Sequence, residues 1–73
     1  MSVVYSDNPT HRANLLAAEN TRNAAYAAAS GNQASIKAAD IAYARSALSS
    51  AKANNCGISQ WQDMLRELGV TGA

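Results

Sequence analysis

Small apolar residues recur at intervals of three and four from Ala13 to Ala53, and Gly31 cuts that run in two. The period is helical. Before Gly31, Leu15, Ala18, Arg22, Ala25 and Ala29 lie along one face, with Leu16, Asn20, Ala24, Ala27 and Ala28 along a neighbouring one. After it, the strongest stripe is Ile41, Ala44, Leu48 and Ala51, extended upstream by Ala34 and Ala38; Ile36, Tyr43, Ala47 and Ser50 form a second. Asn8 followed by Pro9 marks the start of the first helix, because Asn caps free amides and proline needs no amide donor at the first helical position. Gly31 is suited to the left-handed conformation that ends this helix. Asn32 or Ser35 then caps the second. So short a connection makes the two helices antiparallel neighbours. The pattern predicts an antiparallel, alanine-rich helical hairpin over about residues 9–30 and 33–54.

Asn54-Asn55-Cys56-Gly57 breaks the second helix, with Lys52 placed favourably near its negative end. Ser59-Gln60-Trp61-Gln62 fits a capping box, and Trp61, Met64, Leu65 and Leu68 make one apolar face of a helix over about residues 60–68. Gly69 ends it, with Val70 folding back on Leu65. A helix this short is unstable alone in water, so it must dock, on the hairpin or on another chain. Residues 1–8 read as an extended arm: Val3 and Tyr5 fall on one side, Ser2, Val4 and Ser6 on the other. Such an arm either frays or adds to a neighbouring subunit. The fold class is all-α, one domain over 1–73: arm 1–8, hairpin 9–55, docking helix 59–69.

Composition sharpens this. Of 73 residues 48% are hydrophobic, but 17 are alanine and Phe is absent. Alanine offers little apolar area, so the core is thin, and small thin-cored domains lean on disulfides, metals or partners. A single cysteine excludes an internal disulfide, and no Cys/His cluster suggests a metal. Partners remain, and the expected interface residues are Val3, Val4, Tyr5, Trp61, Met64 and Leu68. Trp61 has a competing role as the cap of the hairpin core. Tyr26 and Tyr43 are expected to pack in the core, the alternative being a stack across the hairpin or across a subunit boundary.

The net charge of +1 is spread along the chain, without the basic stripe of a nucleic-acid binder. A DNA-binding reading through Arg12, Arg45 and Lys52 is the weakest of those considered. No segment is long and apolar enough for a membrane span, and the start has neither the basic nor the apolar region of a signal peptide. Catalytic chemistry is equally sparse. Cys56 lies in a turn and His11 is the sole histidine, yet no orienting carboxylate or oxyanion motif accompanies them. They read as an inert thiol and a first-turn surface histidine. Asp40 and Glu19 are candidates to pair, though mid-helix carboxylates are most often solvated or bridged to Arg; Asp63 and Glu67 are likewise a polar face, with Arg66 offsetting Asp63 at a spacing of three. The expectation is a non-enzyme with no cofactor.

The middle of the chain resembles the small head-completion (head-to-tail joining) proteins of tailed bacteriophages, of the lambda W type. The likeness lies in Ala24-Ala25-Tyr26 through Ser30-Gly31, then Gln33-Ala34-Ser35-Ile36, then Ala39-Asp40-Ile41 and Arg45, within residues 13–53. The interval from Gly31 to Asp40 is too short for the β-hairpin found there in that family, so no individual binding residue carries over. The resemblance implies a virion component assembled in the bacterial host cytoplasm, forming a ring on the portal vertex. Its contacts would be copies of itself and portal, tail or capsid proteins, with no membrane and no sequence-specific nucleic acid. A small intracellular inhibitor, occluding a host protein through the same apolar surfaces, is the rival from another class.

Overall fold

The computed structural model describes residues 8–72 and contains three helices: α1 (Pro9–Ala29), α2 (Gln33–Asn54) and α3 (Ile58–Glu67). The first two form the expected antiparallel hairpin. Asn8 caps α1, its Oδ1 accepting from the His11 amide at 2.9 Å. Asn32, rather than Ser35, caps α2, and its Oδ1 accepts from the Ser35 amide at 3.0 Å. Between them the chain turns through two left-handed residues. Ser30 takes φ 49° and Gly31 φ 84°, so it is Ser30 and not the glycine that stands directly after α1.

α2 is the centre of the fold, with α1 and α3 both packed on it. Its Ala44, Ala47, Leu48 and Ala51 are buried together with Leu15 of α1 and with Trp61 and Leu65 of α3. The division of labour is steric. The middle helix supplies mostly methyl groups, which lets both neighbours approach closely, and α3 supplies the bulk. Ile58, Met64, Leu68 and Val70 pack around that cluster, half-buried. The face of α1 bearing Leu15, Ala18, Arg22, Ala25 and Ala29 turns inward, whereas Leu16 is 59% exposed. The upstream extension of the α2 stripe does not hold: Ala34 and Ala38 are exposed.

The α2–α3 link corrects a second expectation. Asn55 takes the left-handed conformation at φ 51° and Gly57 follows at φ 66°. α3 begins at Ile58 with Gly57 at its N-cap and no side-chain cap. Ser59 therefore sits inside the first turn, and the capping box does not form. The turn itself sets the start instead. At the other end the Schellman arrangement is present: the Val70 amide donates to Leu65 O at 2.9 Å and the Gly69 amide to Arg66 O at 3.0 Å.

Candidate interaction surface

α2 presents two opposite faces. At about 100° per residue, Ala42, Ser46, Ser49 and Ala53 point away from the Ala44, Leu48 and Ala51 stripe. The first four are exposed and the last three buried. With Asn14, Ala17, Ala18, Thr21 and Ala25 of α1, the exposed set lines an open groove of about 710 Å3 on the side of the hairpin away from α3. A smaller hollow of about 400 Å3 continues it towards the turn, between Ala25, Ala28 and Ala29 and Ser35, Ala38 and Ala39.

Two arginines edge the larger groove. Arg22 is half-buried, its guanidinium carbon 4.2 Å from the Tyr43 ring centroid and 5.6 Å from that of Tyr26. A cation over an aromatic face is worth roughly 0.5–1 kcal/mol at an exposed site and more when desolvated. Arg45 is exposed on the α2 wall, and no carboxylate lines the groove among the described residues. The Tyr26 hydroxyl donates to Asp40. That hydrogen bond, then burial and the nearby negative charge, hold the Tyr26 phenol above its ordinary pKa of 10.0, against the opposing pull of Arg22. Asp40 thus serves Tyr26. Tyr43 meets Trp61 edge to face at 5.6 Å and does not stack on Tyr26.

At the far end of the groove a polar cluster is built into the α1–α2 contact. His11 is fully buried, which overturns the expectation of a surface histidine. Its Nδ1 lies 2.6 Å from Ser50 Oγ. Asn14 donates to the same oxygen at 2.9 Å, and Asn54 approaches it at 3.4 Å while donating to Ser50 O at 2.8 Å. A serine oxygen has two lone pairs and one proton. Which of the two donates, Ser50 Oγ or His11 Nδ1, follows the imidazole tautomer. Burial pushes the His11 pKa below 6.5. A serine hydroxyl beside a histidine is a nucleophile–base pair in outline. Here the same oxygen is held by Asn14 and Asn54, and Ser50 is itself buried, so the oxygen is held and not presented.

Of the expected interface residues, Val3, Val4 and Tyr5 lie outside the described residues. Trp61 is 8% exposed and belongs to the core of its own chain. Met64 and Leu68 are half-buried against that core. The apolar face of α3 is thus docked in cis. Arg66 pairs with Asp63 as the spacing predicts. Cys56 is half-buried and free of any disulfide. Among the described residues no group of three His, Cys, Asp or Glu side chains could hold a metal, and no helix is long and apolar enough to cross a membrane. The groove itself was missed from sequence, although the small residues Ala42, Ser46, Ser49 and Ala53 recur at helical spacing. Compared with known families, curated proteins and solved structures, the chain shows no match.

Proposed function

We propose that this chain is a non-enzymatic structural and assembly protein that works through protein–protein contact. The resemblance within residues 13–53 supplies the setting, a bacteriophage virion component at the head-to-tail (portal or neck) region. Its partners there are further copies of the chain and portal, tail or capsid proteins. The observation that carries the reading is the open groove of α1 and α2 on the side away from α3. Its floor of alanine and serine lets another helix come within roughly 8–10 Å, axis to axis. Light scattering of the purified chain at rising concentration tests the reading, with circular dichroism on the same sample. A folded species heavier than the 7.6 kDa monomer supports it.

One observation favours the second reading, a small intracellular inhibitor or regulator of a host protein. Trp61 and Leu65 pack on the core of their own chain and are not held open for a neighbour. A folded monomer at every concentration selects that reading.

A further inference from the structure

We propose that the α1–α2 groove of one copy receives the outer face of α3 from the next copy. The inference rests on the assembly reading above and names the surfaces that would carry it.

Charge is the first argument. The groove is edged by Arg22 and Arg45 and has no carboxylate in its lining among the described residues. A helix that enters it should therefore bring acidic side chains. The outer face of α3 does so. Trp61 and Leu65 turn inward and are buried, which places Ser59, Asp63 and Glu67 on the opposite side, all exposed. Asp63 and Glu67 stand one turn apart. Arg66 is engaged with Asp63, and Glu67 lies outside that pair. Arg45 meets no carboxylate in the ion pairs of the described residues.

Size is the second argument. α3 has 10 residues, about 15 Å of helix at 1.5 Å per residue. The groove wall from Ala42 to Ala53 is about 17 Å long by the same rise. Short residues stand on both surfaces, Ser59 and Asp63 on α3 and Ser46 and Ser49 in the groove. Close approach needs no rearrangement of the core, since Trp61 and Leu65 stay where they are.

Placement is the third. The groove and α3 lie on opposite sides of α2, so one chain cannot satisfy both surfaces itself. The contact is head-to-tail. Each copy has one groove and one α3 face, and repetition gives a ring if the rotation closes or a filament if it does not.

Two charge reversals test this. Arg45→Glu and Glu67→Arg each place like charges across the contact, and each variant alone should self-associate about tenfold more weakly than the wild type. Mixed in equal amounts, they should recover association, because every contact in an alternating assembly again joins opposite charges. Both positions are exposed, and circular dichroism checks that the helices are intact. Unchanged association of the single variants, or a mixture no better than its components, overturns the contact and leaves the assembly reading standing. A wild-type chain that stays monomeric at every concentration overturns both.

Discussion

His11 Nδ1 lies 2.6 Å from Ser50 Oγ, joining the first turn of α1 to the last turns of α2 across 39 residues of sequence. The imidazole is fully buried and neutral, held below its ordinary pKa of 6.5 by desolvation. The sign of the linkage follows. The unfolded chain takes up a proton near pH 6.5, before the folded chain does, so stability is complete above that pH and falls as pH drops through 6.5 towards the folded value. The urea midpoint should therefore be lower at pH 5 than at pH 8. A His11→Gln variant should lose most of that difference while being less stable at both.

Trp61 is buried in one cluster with Ala44, Ala47 and Ala51, and its edge-to-face partner is Tyr43. Its Nε1 is buried without a hydrogen-bond partner among the described residues, so the ring contributes through area and packing. Trp61→Ala should cost about 3–5 kcal/mol in chemical denaturation, a large share of what so small a domain has. Trp61→Phe keeps an aromatic ring and forfeits no described hydrogen bond, so its cost should be clearly smaller. A negligible cost for Trp61→Ala would remove Trp61 from the core.

The turn between α1 and α2 holds Ser30 and Gly31 both at positive φ, 49° and 84°. The left-handed region costs a residue with a Cβ roughly 1–2 kcal/mol. Gly31→Ala meets open space, with no atom within 4 Å of the added carbon, so any loss comes from the backbone alone. Thermal unfolding should show it destabilised by about 1 kcal/mol. Ser30→Gly relieves the same strain one residue earlier, offset by the greater chain entropy of glycine, and should be neutral to slightly stabilising.

The hairpin was legible because alanine periodicity, the two asparagine caps and the Ser30-Gly31 break all agree on the same boundaries. The docking of α3 was half legible. Periodicity gives the Trp61, Leu65 and Leu68 face, but no local rule says whether a short amphipathic helix docks on its own chain or another. The apparent capping box at Ser59 misled because the left-handed turn through Asn55 and Gly57 starts the helix at Ile58, too early for Ser59 to cap it. His11 was misread for a related reason. A first-turn histidine is usually solvated, and the burial of this one goes with Ser50 meeting it from across the hairpin, the same oxygen being held by Asn14 of α1 and Asn54 of α2. The groove left a trace in sequence, small residues at 42, 46, 49 and 53, but the open face and the buried face of α2 carry nearly the same alphabet of Ala and Ser.

The central claim is that the α1–α2 groove is the surface through which this protein assembles. Ser46 is exposed on its floor, and Ser46→Trp fills the groove without touching the core. Molar mass by light scattering, measured for the wild type and for Ser46→Trp at the same concentration, is the most direct test. The account predicts an assembly for the wild type and a folded 7.6 kDa monomer for the variant. Equal masses for the two chains would contradict it.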